Sequence, residues 1–272
     1  MSSKVTFLLI LALILSLLVL PAFAVQTLTQ FHKRSGEQQP LVVELFTSQG
    51  CSSCPPMERW LSGFKQETGL WRDYFPLAFH VTYWNYLGWK DPFAKRAFSQ
   101  RQYDYLNHKG ISQVYTPQLV INGREWRPGR QALLPDESDK RALVGRLSLT
   151  IEGQEMMASF DSRLASNEGL TLHLALLGSG MATQVGRGEN RGKYLREDFV
   201  VLSHEHFRGI DATQVSFSGT VGALPGEARE AKRLAWVAWV EQDSLPLQAV
   251  GDWLQPEEGD RLKMTNIGNS AQ

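Results

Sequence analysis

Cys51-Ser-Ser-Cys54 places the only two cysteines of a 272-residue chain two residues apart. Sulfurs at that spacing can close into a disulfide or work as a dithiol. The motif follows the apolar run Leu41–Phe46 and the short turn Thr47-Ser-Gln-Gly50, and it opens onto a helical pattern. A dithiol at the start of a helix lies near unpaired backbone N–H groups and the positive end of the helix dipole. Both favour the thiolate, which is the nucleophile in disulfide exchange. Cys51 is the expected attacking sulfur and would form a mixed disulfide, which Cys54 would resolve. Run in reverse, the same pair oxidises a substrate dithiol, and the two intervening serines do not set the direction. Two other readings stand beside this one. A structural bond across two residues closes a very small loop and stabilises little, and a chain of this size can bury an adequate core without it. The pair could also be part of a metal site for a soft ion such as copper or zinc.

The surroundings set the compartment and exclude some partners. Lys4, the apolar stretch Val5–Leu20 and the small-x-small site Ala22-Phe23-Ala24 read as an export signal over residues 1–24, with the mature chain starting near Val25. An uncleaved anchor is the alternative, and the membrane would then be met only through that segment. A periplasmic or secreted location is one where a disulfide persists. The 28 basic and 28 acidic residues cancel, and no long basic run occurs. The electrostatic footprint of a nucleic-acid binder is therefore missing. No cofactor motif and no complete metal-ligand set is visible in the spacing, so the expected partner is a thiol- or disulfide-containing protein or small molecule.

The elements that must position the dithiol alternate. Leu41–Phe46 reads as a buried strand and Met57, Trp60, Leu61 and Phe64 as a helical stripe after Pro55-Pro56. Leu77–Thr82 reads as a second strand, Phe93–His108 as a helix and Gln118–Asn122 as a third strand. Asp136–Leu147 reads as a final helix. This is an α/β order.

These residues carry a resemblance. Leu41–Glu67 resembles the first strand–turn–helix unit of the thioredoxin-like fold, and Thr116-Pro117 resembles that fold's cis-proline segment beside the dithiol. The string Glu44-Leu-Phe-Thr-Ser-Gln-Gly-Cys-Ser-Ser-Cys-Pro-Pro56 goes further. With Tyr83-Trp84, Leu87-Gly-Trp-Lys-Asp91 and Tyr115-Thr-Pro-Gln118, it resembles DUF1223, a bacterial family of exported proteins known only as a domain of unknown function. The resemblance implies that Glu44 lies near a buried acid that relays protons to the resolving cysteine. It also implies that Pro117 is cis and leaves the backbone of Thr116 free to pair with an extended substrate. One stretch departs from the family pattern. Val81-Thr-Tyr-Trp-Asn85 stands where Val-Asp-Tyr-Trp-Asp is expected, so two carboxylates are replaced by neutral groups.

Read from the residues alone, Glu44 is a charge inside an apolar strand, either a working acid or a structural one. Tyr83, Trp84, Tyr86 and Trp89 either line a groove for a partner polypeptide or pack the following helix onto the sheet. His80 reads as a satisfied core or edge histidine. From Gly145 onward, short strand-like runs punctuated by Gly, Asn, Asp, Ser and Pro suggest a β-sandwich, the immunoglobulin arrangement being one form of it. Gly186-Arg-Gly-Glu-Asn-Arg-Gly192 has the wrong spacing for a phosphate-binding loop and reads as a connection between strands. His204-Glu-His206 puts two imidazoles on one strand face without a third ligand.

The expected architecture is an α/β thioredoxin-like domain over residues 25–145, followed by an all-β, sandwich-like domain over 146–272. The expected function is exported thiol–disulfide exchange, with Cys51, Cys54 and Glu44 as the chemical groups and Thr116, Pro117, Tyr83 and Trp84 as the substrate contacts. The rival is a non-enzymatic exported protein that binds a soft metal or a protein partner and keeps Cys51–Cys54 as a structural bond.

Overall fold

The computed structural model describes residues 30–127, 141–210 and 215–255. The expected export signal lies outside them, as does the 136–140 part of the expected final helix. Among the described residues the first half forms β1 (Gln30–Arg34), β2 (Leu41–Thr47), α1 (Pro55–Ser62), β3 (Tyr74–His80), α2 (Arg96–Asn107), β4 (Gln118–Ile121) and β5 (Arg124–Trp126). Among the described residues of the second half the elements are strands and one 3-10 turn, Gly226–Glu230. The strands run β6 (Gly145–Glu152), β7 (Glu155–Ser162), β8 (Thr171–Ser179), β9 (Met181–Gln184), β10 (Tyr194–Glu197), β11 (Val200–Arg208), β12 (Val215–Thr220), β13 (Arg233–Gln242) and β14 (Leu245–Trp253).

The expected architecture is not the one the chain adopts. The protein is predominantly β, with two short helices of 8 and 12 residues among the described residues. An eight-stranded mixed sheet, in the order β14-β13-β8-β11-β3-β2-β4-β5, takes four strands from each half. A thioredoxin-like α/β domain followed by a separate all-β sandwich therefore does not describe it. The seam is the parallel pairing of β11 with β3, where Val200 faces Ala78 and the Ala78 N–H donates to the Phe199 carbonyl at 2.8 Å. A second sheet, β1-β6-β7-β12, packs on one face of the second-half strands, and β9 pairs with β10 as a separate hairpin.

The reason is visible in β13. Leu234, Trp236, Ala238 and Val240 enter the core shared with the four-stranded sheet, while Ala235, Val237 and Trp239 enter the core beneath the helices. A strand that is apolar on both faces needs cover on both. The four-stranded sheet covers one face of the second-half strands, and the first-half core with α2 covers the other. Period-2 patterning reveals the two faces but not which layers fill them. The helix expected over Asp136–Leu147 is also corrected, since Gly145–Leu147 begins β6.

One buried cation ties the layers together. Arg101 of α2 donates from Nε to Glu44 Oε1 of β2 at 2.6 Å, and from Nη2 to Tyr105 Oη at 2.7 Å and to Glu241 Oε1 of β13. Its guanidinium lies over the rings of Phe79, Tyr105 and Trp239 at 5.6, 5.1 and 5.2 Å. Burial works against the Glu241 charge, but Arg101 and the hydrogen bond from His173 hold its carboxyl well below the usual range. Glu44 moves the other way, raised chiefly by burial, and accepts a hydrogen bond from Tyr105. Removing one partner of such a network strands a buried charge, which costs about 3–5 kcal/mol. Arg101→Met should therefore lower unfolding free energy in urea by about that amount, and adding Glu241→Gln to it should recover part of the loss. A single substitution costing less than about 1 kcal/mol would show that the cation does not hold the layers.

Candidate functional site

β2 ends at Thr47, between β3 in parallel and β4 in antiparallel. The chain then turns on two backbone bonds, from Cys51 N–H to Ser48 O at 3.1 Å and from Cys54 N–H to Cys51 O at 3.3 Å. Cys54 is the N-cap of α1, and Pro55-Pro56 occupy the first turn, where a missing N–H costs nothing. Cys51 and Cys54 form a disulfide with their Cα atoms 5.5 Å apart. Both are fully buried, at 0% exposure, although Ser52 and Ser53 between them are exposed. Cys51 Sγ lies 3.3 Å from Ser53 Oγ.

The structure brings several of the expected contacts to this turn. The Thr116–Pro117 bond is cis. Trp84 donates from Nε1 to Thr116 Oγ1 at 2.6 Å, and a Cβ at Gly50 would meet Trp84 Cβ at 3.0 Å. Trp84 thus bridges the dithiol turn and the cis-proline segment, and it leaves little room for a side chain at position 50. Tyr83 donates to Gln102 Oε1 of α2 at 3.1 Å and also lies in hydrogen-bonding reach of the Thr116 side chain. Trp89 donates to Gln49 Oε1 at 3.0 Å, whereas Tyr86 is 78% exposed. Glu44 is engaged with Arg101 and Tyr105. Its network continues through Glu241 to His173, whose Nδ1 meets His204 Nε2 at 2.9 Å. This network borders a cavity of ≈ 230 Å³ lined by Arg101, Tyr105, His173 and Glu241.

A segment from the second half lies on the dithiol turn. The loop joining β9 to β10 contains Gly186–Gly192, the glycine-rich stretch that suggested a simple connection. Asn190 is fully buried and donates from Nδ2 to Gln49 O at 2.9 Å and to Cys51 O at 2.8 Å. The Glu189 carboxylate accepts from Ser52 N–H at 2.9 Å and from Ser52 Oγ at 2.6 Å, and these bonds hold its pKa below the usual range. Lys193 steadies Asn190 Oδ1 at 2.8 Å. Gly188 has a φ of 76°, which suits glycine, and a Cβ there would be in ordinary contact with Gly50 Cα at 3.9 Å.

Four ionisable groups lie buried beneath the turn. His80, at the end of β3, meets Asp91 Oδ2 through Nδ1 at 2.8 Å, and the same carboxylate oxygen accepts from Gln49 N–H at 2.8 Å. Glu197 of β10 accepts from Gln49 Nε2 at 2.7 Å, and Glu58 of α1 accepts from Thr47 Oγ1 at 2.6 Å. Burial alone would push His80 down, but the Asp91 carboxylate, then Glu197 and Glu58, hold it up to about 9. Burial lifts Glu197 to about 8 and also raises Glu58. Sequence reasoning took His80 as a core histidine and missed Glu58, Asp91, Glu197, Glu189 and Asn190. Glu58 carried a legible signal, four residues after Cys54 and hence on the same helix face. Asp91 stood in the motif Leu87–Asp91, and Glu189 and Asn190 in the glycine-rich stretch, without a signal that tied them to the turn, and nothing local marked Glu197. Among the described residues no group of three or more His, Cys, Asp or Glu side chains has the geometry to hold a metal ion. No described helix is long and apolar enough to cross a membrane.

The family model described as a protein of unknown function, DUF1223, matches residues 42–241. The chain belongs to this family. The match spans the dithiol turn, Thr116-Pro117, the covering loop and Glu241, so DUF1223 includes both halves of the site. Protein AGR_C_4864 of Agrobacterium tumefaciens, a crystal structure, is similar at 25% identity with a TM-score of 0.54 over 81% of this chain and 96% of that one. HBP35 of Porphyromonas gingivalis shares the fold at 11% identity, with a TM-score of 0.53 over 80% of this chain and 76% of that one. No curated protein matches the chain.

Two outcomes follow from this geometry. Asn190→Ala removes two hydrogen bonds worth about 0.5–1.5 kcal/mol each, so reduction of the native disulfide by dithiothreitol should accelerate about 10-fold or more. An unchanged rate would show that the loop does not govern access. The second concerns pH. His80 and Glu197 both have folded-state pKa values above their ordinary ones, so the folded protein binds more protons than the unfolded chain. The His80 contribution is complete below 6.5 and lost as pH rises through about 9, and that of Glu197 is complete below 4.5 and lost through about 8. The melting temperature should fall on the order of 5 °C between pH 7 and pH 9. Glu197→Gln, which cannot ionise, should flatten part of that slope.

Proposed function

We propose that the protein exchanges disulfides with thiol-bearing proteins or small molecules through Cys51 and Cys54, in the periplasm or outside the cell. The observation that carries this reading is the disulfide at the start of α1, with Trp84 joining its turn to the cis Thr116–Pro117 segment. A disulfide this local adds little stability to a chain with two large apolar cores. A substrate thiolate then attacks Cys51 and Cys54 departs, after which the substrate's second thiolate attacks its own mixed-disulfide sulfur and releases Cys51. In the reverse direction Cys51 attacks a substrate disulfide and Cys54 resolves the mixed disulfide. In the closed structure both sulfurs are buried, so exchange requires the Gly186–Gly192 loop to lift from Ser52 and Cys51. Trp84 and Thr116 lie beside the turn as contacts for the incoming chain.

The full burial of both sulfurs favours the second reading, a binding protein in which Cys51–Cys54 is structural. The two readings diverge in a trapping experiment. Under exchange, Cys54→Ser leaves Cys51 free to accumulate a mixed disulfide with a thiol partner, and Cys51→Ser does not. Non-reducing gels and mass spectrometry of the captured species provide the readout. If neither variant captures a partner and the wild-type bond resists glutathione, the disulfide is structural.

A further inference from the structure

Glu189 is exposed, yet two donors of a single residue hold its carboxylate. The Ser52 N–H and the Ser52 hydroxyl converge on Glu189 Oε2, at 2.9 and 2.6 Å. These bonds keep its pKa below the usual carboxylate range, so the donors select the charged form. Ser52 stands between the cysteines and next to Cys51, and it belongs to the turn, ahead of the first helical residue Pro55. The surroundings favour an anion. Arg187 and Arg191 flank Glu189 on the loop, and both are exposed. A Cβ at Gly88, in the turn after Trp84, would lie 3.6 Å from Arg187 Cδ. The other acids at the turn, Glu58, Asp91 and Glu197, are buried and bonded to Thr47, to His80 and Gln49 N–H, and to Gln49 Nε2. They cannot take over the surface donors of Ser52.

Neither sulfur is exposed while the loop is down, and Asn190 fastens that loop to Gln49 O and Cys51 O. Access to Cys51 therefore takes Glu189 away with the rest of the loop. Ser52 is then left with two donors and no protein acceptor, beside the reacting sulfur. Water can fill them. A carboxylate carried by the attacking molecule fills them with charge-assisted bonds, roughly twice as strong as neutral ones.

We propose that Ser52 N–H and Oγ form a carboxylate subsite of the exchange centre. Glu189 occupies it in the closed structure, and the substrate is a thiol that carries a carboxylate close to its sulfur. This rests on the exchange reading above. The substrate carboxylate replaces Glu189 as the loop lifts, so a thiol of this class offsets bonds lost on opening and a neutral thiol does not. Its thiolate forms an S–S bond to Cys51 Sγ, and Cys54 leaves with the electron pair of the old bond. A second substrate thiolate attacks the substrate sulfur of the mixed disulfide and releases Cys51. Two substrate thiols have become one disulfide, giving up two electrons and two protons. The protein gains the electrons, and its two thiolates take their protons from solvent under the lifted loop.

The test is reduction of the native disulfide by 3-mercaptopropionate and by its amide, 3-mercaptopropionamide, at one ionic strength. Each rate is divided by the same thiol's rate with a small neutral disulfide, which cancels its own nucleophilicity. The wild type should prefer the carboxylate by about 10-fold, the factor expected of a hydrogen bond to a charged group. Ser52→Ala, which keeps the N–H and loses the hydroxyl, should cut the preference to about 3-fold or less. Glu189→Gln should speed both thiols by about 3- to 10-fold and keep the preference. Exchanging sodium chloride for sodium acetate should narrow the gap, because free acetate fills the donors for both thiols. A peptide cysteine followed by aspartate, against the same peptide with asparagine, tells a protein partner from a free thiol acid. Equal normalised rates for the carboxylate and its amide in the wild type would overturn the proposal whether or not any variant folds. A preference unchanged by both Ser52→Ala and acetate is long-range charge and overturns it as well. These thiols read the step whether or not a physiological partner exists. Equal rates beside a trapped partner remove the subsite alone, and a preference without a trapped partner removes the exchange reading alone.

Discussion

A guanidinium buried between two carboxylates and three aromatic rings is the constraint on which this architecture turns. Arg101 is 8% exposed, so it cannot keep its charge without anionic partners close by. Glu44 comes from β2 and Glu241 from β13, one from each half of the chain. Neither half can satisfy the cation as fully alone. The requirement acts together with the β3–β11 seam to make one sheet of two sets of strands. It also fixes α2 on the sheet, and α2 in turn holds Tyr83 through Gln102.

Because the halves share a sheet, the dithiol is a joint construction. The first half supplies the sulfurs, the cis-proline segment and His80. The second half supplies Glu197 from β10 and the loop that lies on Ser52 and Cys51. Gly188 of that loop sits at a φ of 76°, a turn that suits glycine and lays the loop against Gly50. The covering loop and the buried acid Glu197 arrive on the same hairpin, so the cover over the sulfurs and the environment of the buried acids are mechanically connected.

The two buried polar networks differ in character. Around Arg101 every charge has a hydrogen-bonded partner, and His173 is held below its ordinary pKa chiefly by burial, which suits a fixed fastening. Beneath the dithiol turn, carboxyls outnumber cations and two atoms lack partners. A network of the first kind rigidifies, whereas one of the second kind has protonation states close in energy. That contrast separates Glu44, the acid that the sequence singled out, from Glu58 and Glu197, which lie at the turn itself. Strand position made Glu44 conspicuous, but three residues of extended chain separate it from the end of β2, and Arg101 claims it.

The sequence by itself determined the local elements and the chemistry at their ends. The strand over Leu41–Phe46, the helix after Pro55-Pro56, the helix within Phe93–His108 and most second-half strands lie where periodicity and breakers put them, because those signals act between near neighbours. The dithiol at a helix start and family membership were legible in the same way, as short runs of residue types. Tertiary structure alone decided which sheet β8, β11, β13 and β14 join. A strand apolar on both faces records that it is buried, not by what. The run Tyr194–His204 reads in the sequence as one strand, and tertiary structure alone decided that Phe199, at a φ of 58°, would divide it between β10 and β11. Glu189, Asn190 and Glu197 stand more than 130 residues from the turn they cover or underlie. No pattern in the sequence pairs them with Cys51, because contacts over that distance are set by how whole layers pack.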